Sequence, residues 1–105
     1  AQFELGVLLY KKGDTDAGLS LLTKLRDSDK AISGARSNNF LADIEFTNEK
    51  YKDALVIYAA TLSRFKGDKE VNSEALYKSA YCYFKLGAKT ETIKLLKMLN
   101  EKYNS

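Results

Sequence analysis

The sequence predicts an all-α chain built from three antiparallel helix–turn–helix units, six helices in all. Three observations carry this. Small residues recur in pairs twelve positions apart: Gly6 with Gly18, Ala42 with Ala54, and Ala80 with Thr92. The pairs step along the chain by 36 and then 38 residues, so one helical hairpin is written three times over residues of about 1–29, 30–67 and 68–105. No proline interrupts the 105 residues, and apolar residues fall three and four apart between short polar breaks, as one face of a helix requires.

In the first unit, Phe3, Leu5, Leu8 and Leu9 carry helical spacing up to Lys11-Lys12-Gly13. Gly13 suits a helix C-cap because it accepts a left-handed backbone. Asp14 or Thr15 then caps a second helix that carries Leu19, Leu22 and Leu25 and ends near Asp27. Gly6 and Gly18 are poor helix formers, each costing roughly 0.8–1 kcal/mol against Ala, so their place is where two backbones approach closely.

Ser28-Asp29 offers a cap for a third helix, about Lys30 to Thr47, with Ile32, Ala35, Phe40, Leu41 and Ile44 on its apolar side. After a polar turn at 47–50, a fourth helix runs from about Tyr51 to Phe65 with Ala54, Leu55, Tyr58 and Leu62. Lys66-Gly67-Asp68 is the next break. The fifth helix, about Lys69 to Lys85, carries Val71, Leu76, Ala80, Tyr83 and Phe84. Leu86-Gly87-Ala88 ends it, and the sixth helix, about Lys89 to Tyr103, carries Ile93, Leu95, Leu96, Met98 and Leu99. Turns this short force antiparallel pairing, and stacked hairpins bury faces that a lone hairpin leaves wet.

Composition narrows the function. The net charge of +3, from 17 basic and 14 acidic residues, is too mild and too interspersed to mark a nucleic-acid or membrane surface. Histidine, the commonest general base and metal ligand, is missing. The single Cys82 has no internal disulfide partner, and its setting in a well-packed helix predicts a buried, inert thiol. Acid pairs such as Asp14 with Asp16 and Asp27 with Asp29 fall at helix starts, where acids serve as caps. No phosphate loop, activated nucleophile or metal-ligand cluster is present, so neither catalysis nor a cofactor or metal is expected. No apolar run is long enough to span a membrane. The chain starts without Met, inside a helical pattern, and reads as a piece of a longer protein.

These residues resemble the tetratricopeptide repeat, a helix–turn–helix unit with small residues where its helices cross. Leu5-Gly6, Leu41-Ala42 and Ser79-Ala80 stand where the family has Leu-Gly on its first helix. Ala54 with Tyr58 matches the Ala and aromatic of its second helix, Gly18 with Leu22 and Thr92 with Leu96 match more loosely, and Gly13 and Gly87 match its inner turn. The chain departs from the pattern in two ways: Gln2, Asn38 and Leu76 replace the early Trp, and the closing Pro is missing. The resemblance implies a right-handed superhelix that binds other proteins without catalysis. Its steps exceed the family's usual period of about 34 residues. With Ser73 to Tyr81 and Phe84 to Gly87, this is similar to bacterial cell-envelope members: the lipoproteins of outer-membrane protein assembly and the periplasmic protein beside the Tol–Pal system. That implies an envelope adaptor on the periplasmic side. A cytoplasmic scaffold or co-chaperone, and an RNA-binding repeat, are the alternatives. The stretch from Lys66 onward interleaves Lys with Tyr77, Tyr81 and Phe84, but its basic excess is only three.

In the family the first helices line a concave groove. Projected here, the groove carries Glu4, Val7 and Lys11, then Arg36, Asn39, Phe40 and Asp43, then Glu74, Tyr77, Lys78, Tyr81 and Lys85. Tyr77, Tyr81 and Lys85 share one helix face, and the mixture of aromatic and charged groups suits an extended or helical peptide. Equally, Phe40, Tyr77 and Tyr81 suit packing between hairpins. The basic clamp with which some members hold a C-terminal carboxylate is missing, its places reading Glu4, Phe40, Glu74 and Lys78. The last helix shows a wide apolar arc, with Ile93, Leu95, Met98 and Leu99 as a possible interface to a partner or a second copy.

Gly6, Gly18, Ala42, Ala54 and Ala80 are thus expected at helix crossings. Ala54→Leu should separate its hairpin and lower stability by roughly 1–3 kcal/mol; an unchanged thermal midpoint would reject this register.

Overall fold

The computed structural model describes residues 2–28, 32–65 and 68–103. Six helices follow one another: α1 (Gln2–Lys11), α2 (Thr15–Ser28), α3 (Ile32–Thr47), α4 (Tyr51–Arg64), α5 (Lys69–Lys85) and α6 (Lys89–Tyr103). There is no strand among the described residues. The Lys30 start expected for the third helix, and the Asp29 half of its cap, lie outside those residues. Ser28 instead closes α2, its hydroxyl donating to the Lys24 carbonyl at 2.6 Å. At α5, Asp68 is the cap, accepting from the Val71 N–H at 2.7 Å.

The three inner turns are built alike. After α1, the Gly13 N–H donates to Tyr10 and the Asp14 N–H reaches back to Leu9. Glu49 and Lys50 repeat this after α3, bonding to Phe46 and Glu45, and Gly87 and Ala88 repeat it after α5, bonding to Phe84 and Tyr83. This double closure satisfies the last carbonyls of a helix and needs a left-handed residue. Gly13 and Gly87 supply it with φ of 102° and 81°. In the middle hairpin the residue is Glu49, at φ 62°.

Excluded volume explains the helix crossings. A methyl group built on Gly18 would lie 2.7 Å from the Tyr10 nitrogen and 2.8 Å from the Gly6 carbonyl oxygen, both main-chain atoms that cannot yield. One on Gly6 would meet the Leu22 side chain at 2.8 Å. The second hairpin crosses at Ala42 and Ala54, both buried, and Ala80 and Thr92 are buried in the third. The Thr92 hydroxyl turns back to the Ala88 carbonyl at 2.9 Å.

Neighbouring hairpins meet through the first helix of one and the second helix of the one before. Ala75 and Cys82 of α5 form one cluster with Ala42, Ala54 and Tyr58. Phe65 closes the same joint with Ala35 and Val71. First helices also touch each other, α1 with α3 and α3 with α5, whereas among the described residues α2 does not pack on α4 nor α4 on α6. The row therefore turns its first helices to the inside.

A polar chain runs through the middle of this apolar joint. The Asn38 amide donates to the Ile57 carbonyl and to the Thr61 hydroxyl, both at 2.7 Å. Thr61 donates onward to the Asn39 side-chain oxygen at 2.7 Å, and the Asn39 amide donates to the Val71 carbonyl at 3.0 Å. Asn38, Asn39 and Thr61 are all buried, so their hydrogen bonds replace water that is no longer available. Three helices, α3, α4 and α5, are thereby tied by four bonds.

Two expectations follow. Asn38→Ala should cost roughly 1–3 kcal/mol in a urea titration, because the Thr61 hydroxyl loses a buried donor; a cost within error of zero would discard the polar chain as a stabilising element. Glu49→Gly should raise stability by roughly 0.5–1 kcal/mol, the relief of left-handed strain exceeding the entropy glycine adds to the unfolded chain; a lower thermal midpoint would contradict it.

Candidate functional site

The inner side of the row contains a cleft between α1, α3 and α5. Arg36, Asn39, Phe40 and Asp43 of α3 line it, together with Phe3 from α1 and Glu70, Val71 and Glu74 from α5. The α3 residues come together because positions three and four apart on a helix share a face. Phe40 stands edge-on to Phe3 at 6.5 Å and to Tyr10 at 5.8 Å, with interplanar angles of 85°. Its ring therefore fastens α1 to α3 and also presents an apolar edge to the cleft. Arg36, Glu70 and Glu74 are exposed around it.

Asp43 is the electrostatic centre. It accepts the Tyr58 hydroxyl proton from α4 and the Lys78 ammonium from α5, the latter at 2.9 Å. Lys78 also reaches Glu74 at 3.0 Å and lies 5.9 Å from the centre of the Phe46 ring. Burial works against the charge on Lys78, but its bonds to Asp43 and Glu74 outweigh burial and hold the ammonium above the ordinary lysine range. Burial, reinforced by the Asp43 carboxylate, pushes the Tyr58 hydroxyl well above the ordinary tyrosine range. Tyr58 thus stays a neutral donor.

The structure redistributes the residues projected onto the groove. Arg36, Asn39, Phe40, Asp43 and Glu74 come together. Phe3, rather than Glu4, Val7 or Lys11, is the α1 residue in the wall. Asn39 lines the cleft as well, but it is buried and its amide is bonded to Thr61 and Val71. Lys78 is not a free cation, because two carboxylates hold it.

Tyr77 and Tyr81 do not line the cleft. Both lie with Phe84 along the seam between α5 and α6. Tyr81 also packs on Phe46 at 5.2 Å and Tyr51 at 6.4 Å, and Lys85 sits 5.7 Å from its ring centre. Tyr81 is still 37% exposed.

The last-helix residues divide between two flanks. Leu99 lines a depression with Leu96 and Ser73, whereas Met98 sits on the other side with Leu62 and Leu76. Ile93 is exposed and Leu95 half-buried. Gly6, Gly18, Ala42, Ala54 and Ala80 are buried. Cys82 is buried too, and burial pushes its thiol up to about 11, which keeps it protonated and unreactive.

Phe3 and Glu70 were missed as wall residues. The repeat steps were the available signal for Phe3, since it stands 36 residues before Asn39. Glu70 lies in the first turn of α5, where an acid also reads as helix-end stabilisation. Among the described residues no three metal-ligating side chains converge, and no helix is long and apolar enough to cross a membrane.

Two family profiles described as tetratricopeptide repeat match the chain, one over residues 3–69 and the other over residues 74–103. No curated protein and no solved structure matches it. The matches cover all three hairpins, and the family's repeats are non-catalytic units that mediate protein–protein interaction. With its small-residue crossings, its antiparallel hairpins and its inward row of first helices, the chain belongs to the tetratricopeptide repeat family.

Proposed function

We propose that the chain is an adaptor that holds an extended segment of a partner polypeptide in the α1–α3–α5 cleft, within a bacterial cell-envelope complex. The cleft's composition carries the binding reading. Phe3 and Phe40 offer an apolar floor, and three carboxylates, Asp43, Glu70 and Glu74, surround it beside one arginine, Arg36. Lys78 neutralises part of that acidity through Asp43 and Glu74, which leaves Glu70 as the wall carboxylate without a lysine bridge in this set. The best-fitting ligand is a segment with an aromatic or aliphatic anchor over Phe40 and a basic residue directed to Glu70. Apolar anchors supply most of the affinity at such sites and charges set register. The envelope assignment rests on the long repeat steps and the Ser73 to Gly87 phrase, and it is independent of the cleft.

A crosslinked pull-down from the source cells, comparing the chain with Glu70→Lys and Arg36→Glu, tests both parts. Both positions are exposed, so both variants should fold. The expected result is one envelope protein recovered by the unaltered chain, at least tenfold reduced with Glu70→Lys and less affected by Arg36→Glu. Equal recovery by folded Glu70→Lys would remove the cleft, and a cytoplasmic partner would remove the envelope.

A further inference from the structure

We propose that a depression on the outer side of the row binds a medium-chain carboxylic acid with a hydroxyl beside its carboxylate. The second helices α4 and α6 do not pack on each other, which leaves the first half of α5 between them. The depression there has a volume of about 550 Å³, and Leu62, Lys69, Asn72, Leu76, Met98 and Lys102 line it. That volume lies in the range of small-molecule sites.

Its chemistry is ordered along the helices. Lys69, Asn72 and Leu76 fall three and four apart on one face of α5, and Met98 and Lys102 fall four apart on α6. The two helices run antiparallel, so Lys69, at the start of α5, and Lys102, near the end of α6, share one end of the depression. Leu76 and Met98 share the other, and Asn72 lies between. Both lysines are exposed, and the ion pairs among the described residues lie elsewhere, at Arg26 and around Lys78. Asn72 points to a ligand independently. It is 4% exposed, and its side-chain oxygen has no hydrogen-bond partner among the described residues. A buried amide oxygen without a donor is a standing cost to the fold. The last torsion of an Asn side chain is broad, so the amide can turn this oxygen to a hydroxyl held in the depression. The ligand follows in order: a carboxylate between two ammonium groups, a hydroxyl at Asn72, and an aliphatic chain over Leu76 and Met98. From Lys69 to Leu76 the helix rises about 10 Å, a span for a chain of moderate length.

The repeat shows that an adjoining hairpin leaves this surface open. Met98 and Lys102 stand 38 residues after Ala60 and Arg64. There the next first helix, α5, is in place, yet Ala60 is only half-buried and Arg64 is exposed. Tyr103 also borders the depression, but its counterpart Phe65 is buried in a joint, so the site does not depend on it. Nor does every hairpin build such a site. Leu62, Asn72 and Leu76 correspond to Lys24, Gly34 and Asn38, and the Asn38 amide is already bonded to Ile57 and Thr61. The depression shares no residue with the α1–α3–α5 cleft, so it stands or falls separately from the peptide reading.

Isothermal titration calorimetry of the 105-residue chain with 3-hydroxyoctanoate, octanoate and 1,3-octanediol tests this. The hydroxy acid should bind best, octanoate roughly fivefold more weakly for want of one hydrogen bond, and the uncharged diol more weakly than the hydroxy acid. Lys102→Glu should weaken both acids by roughly tenfold, because it sets a like charge at the carboxylate end. Asn72→Leu should bind the two acids equally. Glu70→Lys, which alters the cleft, should leave the affinity for the hydroxy acid unchanged. Circular dichroism establishes that the variants fold; Lys69→Glu and Asn72→Ala replace Lys102→Glu and Asn72→Leu where either does not. A chain that takes up neither acid at millimolar concentration overturns the proposal. So does equal binding of the two acids, or of the diol and the hydroxy acid, which would leave only apolar adsorption. A folded Lys102→Glu variant that binds like the parent overturns it, as does a hydroxyl preference that survives the change at Asn72.

Discussion

The space left where helices cross is the constraint on which the rest of the architecture depends. Gly6 and Gly18 let the first two backbones approach until no side chain fits between them. Ala42 and Ala54 repeat the crossing with one methyl on each side, and Ala80 and Thr92 repeat it with more volume still. The second helices α2 and α4 then each pack both on their own first helix and on the next one. The same geometry turns α1, α3 and α5 to one side and so creates a cleft there. Site and scaffold are products of a single steric pattern.

Within that cleft the charges serve the scaffold first. Asp43 collects a hydroxyl from α4 and an ammonium from α5, joining two hairpins at one carboxylate. The pair is partly exposed, so it contributes modestly to stability, and its larger effect is to orient Lys78 along the wall instead of into the opening. What remains for a ligand is an apolar floor with a rim of exposed charge, a layout suited to recognising a segment by side-chain pattern rather than by one dominant ion pair.

Most of the fold was legible in the sequence because its signals are local. Small residues at crossings, the glycines after Lys12 and Leu86, and the three- and four-residue spacing of apolar side chains each report on a few neighbours. The site was less legible because it is set by reach across helices. Nothing near Asn39 in sequence reveals that Thr61 and Val71 will consume its amide from 22 and 32 residues away. Tyr77 and Tyr81 lie on the same helix as residues that do border the cleft, yet both line the seam between α5 and α6 instead. Glu49 was hidden for a different reason: it occupies a glycine position in the turn without being glycine, so only its backbone angle discloses it.

The buried run from Asn38 through Thr61 and Asn39 to Val71 has a further consequence, which concerns alignment more than strength. Apolar burial is non-directional, so the packing of Val71, Ala75 and Cys82 near Tyr58 and Phe65 does not by itself fix bond directions across the joint. Directed donors and acceptors do fix them. If α5 slid by one turn along α4, the Val71 carbonyl would leave the Asn39 amide behind with no water to receive it. The polar run therefore acts as a vernier on that joint. It selects one alignment of hairpins two and three among several that hydrophobic contact alone would tolerate.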